Sequence, residues 1–305
     1  MAGLVVLEKM VMLVLLMLVG FLAAKGKWVD ESFGQKASFL VANVFIVATI
    51  LASVVGMEPL FSGRELVVAV VAVFILFAIG GVLGWICAKL LPLSPGDRTA
   101  AWLSVFFMNN VFIGFPVVEA LFGQNAVFCA ALTGLPFNLL LFSMGVSRLR
   151  AGQGRGRVRL REVFSPALIA TLVSIVFFLG QIPFPQLVAD TVQTLGGATV
   201  PLSMLIIGIS LSRVPVKEAI TDWRAYVVSL VRLILCPLVV WGVLRLFVSG
   251  TVLGVLTVIA ACPSGAMITI LSLRYGVDET FATRVNFVST VLCAGTLPLM
   301  THILL

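Results

Sequence analysis

The chain has 305 residues with a net charge of +7, and 61% of them are hydrophobic while only 11% carry a charge. Because soluble domains have about 45–50% apolar and about 25% charged residues, this composition excludes a soluble enzyme, a secreted disulfide scaffold and a disordered protein. We take the basic excess as a sign of membrane topology rather than of nucleic-acid binding.

Apolar runs predict an all-α polytopic membrane protein with ten transmembrane helices. Each span needs roughly 20 apolar residues. The predicted spans cover residues 4–24, 37–56, 66–90, 101–122, 126–146, 163–179, 187–211, 225–247, 252–273 and 281–304. The first run is too long for the apolar part of a signal peptide and contains Glu8 and Lys9, so we expect it to be a retained helix.

Basic residues concentrate in the odd-numbered loops between these spans. The first such loop contains Lys25, Lys27 and Lys36, and the fifth contains six arginines between Arg148 and Arg161. Basic loops stay in the cytoplasm, which predicts a multi-pass protein of the cell (inner) membrane with both termini outside.

The basic segment 148–162 divides the chain into two halves, residues 1–147 and 163–305, with five predicted spans each. Because five is odd, the second half must insert upside down, and inverted repeats are the usual plan of secondary transporters. The fourth span contains Gly114, Phe115 and Pro116, and the ninth contains the run 262–265, with Pro263 in it. We expect both helices to be broken there, which predicts a site near the middle of the membrane.

Broken helices expose N–H groups and the positive end of a helix dipole, which suit an anion. Asparagine amides inside apolar spans can add further donors. The expected substrate-binding residues are Asn43, Asn109, Asn110, Gly114, Pro116, Asn138, Pro263, Ser264 and Gly265. The structural alternatives are packing kinks at the two prolines and interhelical hydrogen bonds at the amides.

Charged residues inside the predicted spans are functional candidates by default. Glu119 is the acidic residue beside a predicted break, and we expect it to help couple transport to H+ or Na+. Arg232 is expected to act indirectly, by raising the local potential or by packing. The chain has one histidine, His302, and its five cysteines lack metal-site spacing. We therefore expect no metal site, no cofactor and no enzymatic activity.

The order of these motifs resembles the auxin efflux carrier family, bacterial type. The run from Asn109 to Gly123 reads N-N-V-F-I-G-F-P-V-V-E-A-L-F-G, and A-C-P-S-G-A-M begins at Ala261. The resemblance implies two inverted five-helix repeats, with broken helices four and nine that cross. It also implies a scaffold of helices one, two, six and seven beside a moving unit. The family's crossover asparagine and prolines map onto Asn109, Pro116 and Pro263, and its polar residue on helix five onto Asn138.

The sequence therefore predicts a secondary transporter of small organic anions that works by alternating access. An anion channel and a non-transporting membrane sensor or scaffold remain the alternatives. The expected partners are the substrate anion and the lipid bilayer, without nucleic acid, and a homodimer is left open. The substrate itself, whether malonate, malate, an auxin-like acid or another, does not follow from the sequence.

Overall fold

The computed structural model describes residues 2–56, 63–149, 164–212, 221–274 and 280–305. Within these ranges the protein is all-helical and contains no β-strand. The helices are α1 (Ala2–Lys25), α2 (Ser32–Ala52), α3 (Gly63–Leu90), α4 (Pro95–Phe106), α5 (Asn110–Phe122), α6 (Ala126–Leu149), α7 (Pro166–Gly180), α8 (Gln186–Leu211), α9 (Trp223–Leu244), α10 (Gly250–Ala260), α11 (Met267–Arg274) and α12 (Thr280–Leu304).

Six of these helices, namely α2, α3, α6, α8, α9 and α12, are long and apolar enough to cross a membrane. Shorter apolar helical segments lie in α1, α5, α7 and α10. The described chain is therefore a multi-pass helical membrane protein. Of the predicted linker 148–162, only Arg148 and Leu149 are described, and they continue α6; the rest lies outside the described residues.

Four of the helices contain a π-turn, in which one extra residue widens the helix. The turns are Val41–Phe45 in α2, Asn110–Gly114 in α5, Leu141–Gly145 in α6 and Val231–Leu235 in α9. Such turns are frequent at functional sites because they redirect side chains. Asn43, Asn110 and Arg232 each lie in one of them.

Helices α1, α2, α7 and α8 pack against one another. The Thr49 hydroxyl lies 2.6 Å from that of Thr199 and joins α2 to α8. The Ser174 hydroxyl donates to the carbonyl of Ile50 at 3.2 Å and joins α7 to α2. A second group of packed helices comprises α3, α4, α9, α10 and α12.

Glycines allow two close helix crossings. A Cβ atom on Gly20 or Gly208 would overlap a backbone carbonyl of the facing helix, so α1 and α8 touch through their backbones. At the α3–α4 crossing, a Cβ on Gly84 would lie 2.8 Å from the carbonyl oxygen of Trp102. Gly250 differs from these, because a Cβ there would meet no atom within 4 Å and its φ is +61°, so it is a turn glycine.

Helices α4 and α10 both end near the middle of the bundle, and the chain continues in two extended segments that run antiparallel. We call these segments, residues 107–109 and 263–265, the crossover. The N–H of Asn109 donates to the carbonyl of Pro263 at 2.8 Å, and the N–H of Gly265 donates to that of Phe107 at 2.9 Å. Met108 and Ser264 face each other in this bridge.

The predicted break at 262–265 is confirmed, because α10 ends at Ala260 and α11 begins at Met267. The predicted break at Gly114 and Pro116 is wrong: the fourth span unwinds at residues 107–109 and is helical from Asn110 onward. The π-turn widens the helix directly ahead of Pro116, with the N–H of Phe115 bonded to the carbonyl of Asn110. The helix therefore continues through the proline.

Candidate substrate site

A cavity of about 300 Å³ lies against the crossover, between α2 and α7 on one side and α5, α6 and α11 on the other. We call it the first cavity. A volume of this order suits a small organic molecule. No charged side chain is found among its lining residues in the described part of the chain. Phe112, Phe115, Phe137, Met108 and Ile270 make much of its wall apolar.

Three helices begin at this cavity. Helix α5 begins at Asn110, α11 at Met267 and α7 at Pro166, and all three residues line the wall. The start of a helix carries a partial positive charge and N–H groups without helical partners. These helix starts suit a negatively charged group, although no cationic side chain of the described residues lines the cavity.

Asn43, Asn109, Asn110 and Asn138 all line the first cavity, but they differ in their hydrogen bonds. The Nδ2 atoms of Asn43 and Asn138 donate to the carbonyls one turn earlier, at 2.7 and 2.9 Å. Asn110 Nδ2 donates to the Thr133 hydroxyl at 3.0 Å. These bonds match the structural alternative of amides held by their own helices or by a neighbour.

Asn109 differs from the other three amides. Its Oδ1 accepts the N–H of Phe112 at 3.2 Å and caps α5. Its Nδ2 makes no hydrogen bond with any residue that the structure describes. The backbone of Asn109 is fixed in the crossover by its bond to Pro263. Asn109 is therefore a rigidly placed donor for a ligand in the cavity.

The remaining candidates divide into lining and supporting residues. Gly265 lines the cavity, whereas Gly114, Pro116, Pro263 and Ser264 do not. Gly114 packs against α10, where a Cβ would lie 2.6 Å from Ile259 Cδ1. The N–H of Ser264 donates to the Ser289 hydroxyl at 3.2 Å. The expected N–H donors after Pro116 are absent from the cavity, because Pro116 lies inside α5 rather than at its start.

Arg232 is fully buried beneath the crossover and does not line the cavity. Its guanidinium donates to the carbonyl of Val105 at the end of α4, at 3.0 Å. It also donates to three carbonyls at the end of α10, those of Ile259, Ala260 and Cys262, at 2.9 to 3.3 Å. One cation thus caps the negative ends of both helices that lead into the crossover.

Glu119 is half-buried on α5 and lies away from the first cavity. Its Oε2 is buried and has no hydrogen-bond partner among the described residues. In the same part of the chain, no group of three His, Cys, Asp or Glu side chains is placed to hold a metal ion.

Sequence reasoning missed the contribution of α7. Ser165 caps this helix by accepting the N–H of Leu168 at 3.1 Å, and Ser165, Pro166 and Thr171 line the cavity. The signal was present, because a serine followed by proline ahead of an apolar run is typical of a helix start.

Comparisons with known proteins agree with a transport role. The profile of a family described as "Membrane transport protein" matches residues 5–149 and 155–301. The chain is 27% identical over 301 residues to an uncharacterized transporter of Methanothermobacter thermautotrophicus, covering 97% of this chain and 98% of that protein. It is 25% identical over 309 residues to an uncharacterized transporter of Methanocaldococcus jannaschii, covering 98% and 99%.

Proposed function

The chain belongs to the membrane transport protein family, the auxin efflux carrier family that its motifs resemble, and from this premise we propose that it is a secondary active transporter. Its substrates are small organic anions, carboxylates in particular. It moves them across the cell membrane by alternating access around the crossover.

One observation carries the proposal. Three helix starts converge on a cavity, together with the Asn109 amide, which has no partner for its Nδ2 among the described residues, and none of those residues lines the cavity with a charge. Neutral donors hold an anion by hydrogen bonds from fixed dipoles. They add no permanent buried cation, which would hold the anion too tightly for release. The apolar wall beside them suits the carbon skeleton of a carboxylate.

We further propose ten spans in two inverted halves, with α1, α2, α7 and α8 as the scaffold. Two observations support this arrangement: these four helices pack together, and the two broken helices lie with α3, α6, α9 and α12 beside them. The first cavity lies between the two groups, so a relative movement of the groups would open it to one side and then the other.

An anion channel and a non-transporting sensor are the alternative functions. A channel requires a continuous polar or charged lining, whereas the first cavity has isolated polar points in an apolar wall. Saturable uptake that is stimulated by substrate on the opposite side distinguishes a carrier from a channel. Substrate counterflow also distinguishes a carrier from a sensor, which binds its ligand without turnover.

Replacing Asn109 with alanine should weaken carboxylate binding by about ten- to a hundredfold. A hydrogen bond to a charged group contributes roughly 1.5–3 kcal/mol, which corresponds to that range of affinity. The change for Asn110→Ala should be smaller, because its Nδ2 already bonds Thr133. The measurement is a thermal-shift titration of the purified protein with malonate, malate and benzoate.

Asn125→Ala is the matched control for this experiment, because Asn125 precedes α6 without a side-chain cap bond and does not line the first cavity. If Asn109→Ala binds carboxylates with wild-type affinity, the anion site does not lie at the crossover. If the wild type binds and transports none of the three carboxylates, the anion class itself is wrong.

Glu119→Gln should abolish most of the uptake driven by a pH or Na+ gradient while substrate counterflow persists. The expectation follows because Glu119 is half-buried, its Oε2 has no hydrogen-bond partner in the described part of the chain, and it does not line the first cavity. The measurement compares gradient-driven uptake with counterflow in proteoliposomes. Asp190→Asn is the control, because Asp190 is exposed and its carboxylate bonds only Gln186 in the described chain. Unchanged gradient-driven uptake would remove Glu119 from the coupling mechanism.

A further inference from the structure

A second cavity, of about 250 Å³, adjoins the first. Asn109, Phe112, Ala266 and Ile270 line both cavities, so these residues form the partition between two compartments. The other walls of the second cavity come from α2, α8 and α12. The sequence motifs did not point to this space.

Asn286 on α12 lines the second cavity, and its side chain makes no hydrogen bond with any described residue. Its Oδ1 is buried but only accepts hydrogen bonds, so the group that can bond an anion is the Nδ2 amide, and an unpartnered amide inside a membrane protein is costly. Thr283 and Thr290 lie three residues before and four residues after Asn286, so all three share one face of α12 and line the same wall. This polar face of α12 can therefore hydrogen-bond a ligand in the second cavity.

A charged cluster lies beside this wall, at the start of α9 and α12. Arg224 donates to the carboxylate of Asp222 through Nε and Nη2, both at 2.8 Å, and Arg284 Nη1 lies 3.5 Å from the same carboxylate. The hydrogen bond from Arg224 lowers the pKa of Asp222, so this carboxyl is ionised at neutral pH. Two cations share the carboxylate of Asp222, and the charge of Asp97 also acts on Arg224. Arg284 directly follows Thr283 of the cavity wall in the chain.

Charge also decides which ligand the compartment suits. No carboxylate of the described chain lines it, and Ala266 places the start of α11 in its wall. A cation would therefore meet the positive end of a helix dipole, whereas an anion is favoured by it. Arg284 beside the wall is a further source of attraction for an anion. Ser210 and Thr283 lie close in sequence to the basic loops, which indicates that this compartment is on the cytoplasmic side.

We propose that the second cavity is a cytoplasmic-side binding compartment for the transported carboxylate, in which Asn286 is a further substrate-binding residue and Arg284 attracts the anion. This proposal rests on the proposed transport of organic anions. It adds a residue of α12 to the substrate path and makes that path asymmetric, because Asn286 is reached from one side of the membrane.

The test measures transport kinetics separately from each side, in inside-out and right-side-out membrane vesicles. The probe is whichever of malonate, malate and benzoate the wild type transports. Asn286→Ala should raise the KM at the cytoplasmic face about tenfold, the loss expected for one hydrogen bond to an anion. The KM at the outer face should stay unchanged. Asn109→Ala should raise the KM at both faces, and Asn125→Ala should leave both KM values unchanged.

Arg284→Gln provides a second variant that leaves the cavity wall intact. Because Arg284 acts through its charge, this variant should raise the cytoplasmic KM at low ionic strength and match the wild type at high salt. If Asn286→Ala changes the KM equally at both faces, or at neither face, the second compartment is not a substrate site. Transport by the wild type would then still support the proposed function. A wild type that transports no carboxylate overturns both.

Discussion

Arg232→Met should destabilise the protein more than any other single change of a buried polar side chain. The substitution leaves the buried carbonyls of Val105, Ala260 and Cys262 without the guanidinium donor, while that of Ile259 keeps the N–H of Cys262. Each unsatisfied buried acceptor costs about 1–3 kcal/mol, so the loss of three such bonds should lower the free energy of unfolding by at least about 3 kcal/mol. The measurement is thermal unfolding of the purified protein in detergent.

Two further variants make this test specific. Arg232→Lys keeps the charge but loses the planar fork that reaches both helix ends, so its stability should fall between those of the wild type and Arg232→Met. Arg245→Met removes an exposed arginine just past the end of the same helix, α9, which stacks on Trp241 at 4.4 Å, at a cost of about 1 kcal/mol or less. Equal melting temperatures for Arg232→Met and Arg245→Met would contradict the capping role.

In the anion site that we propose at the crossover, Arg232 has a second role. The same crossing that places the starts of α5 and α11 at the cavity places the negative ends of α4 and α10 directly behind it. Without a counter-charge, those ends would oppose the attraction of the helix starts. Arg232 bonds carbonyls at both of these ends, and we propose that this leaves the positive helix starts to act on a ligand in the first cavity.

Apolar runs predicted the helical membrane architecture because each span must satisfy its own backbone in lipid. The position of the break in the fourth span was not predictable in the same way. Gly114 and Pro116 are the local signals for a kink, yet the chain unwinds at Phe107, Met108 and Asn109, which contain neither glycine nor proline. Pairing with residues 263–265 fixes that position, and such a contact between distant segments leaves no local pattern.

The candidate site was likewise predictable from the sequence only in part. Asparagines inside apolar spans are visible in the sequence because their burial is costly, and Asn43, Asn109, Asn110 and Asn138 do line one cavity. The sequence could not show which amide keeps a free donor, because that depends on the partner each one meets in the fold. Asn286 was overlooked for a related reason: its span has no break, and only the neighbouring helices place it at a cavity.

Gly208→Ala should separate α1 from α8 and strongly destabilise the scaffold. A Cβ atom at this position would overlap the carbonyl oxygen of Met17, and one on Gly20 would overlap that of Leu205. Both neighbours are backbone atoms, which cannot rotate away as a side chain can. The free energy of unfolding should therefore fall by at least the roughly 1–3 kcal/mol typical of overpacking.

Gly197→Ala is the matched control, because Gly197 lies on the same helix and a Cβ atom added there would meet no other atom within 4 Å. Alanine there should be neutral or stabilising, since it reduces the freedom of the unfolded chain. Gly208→Ala should lower the melting temperature in detergent and slow counterflow, because the cavity wall depends on a fixed scaffold. If the two alanine variants unfold at the same temperature, α1 and α8 do not cross at the distance that the structure gives.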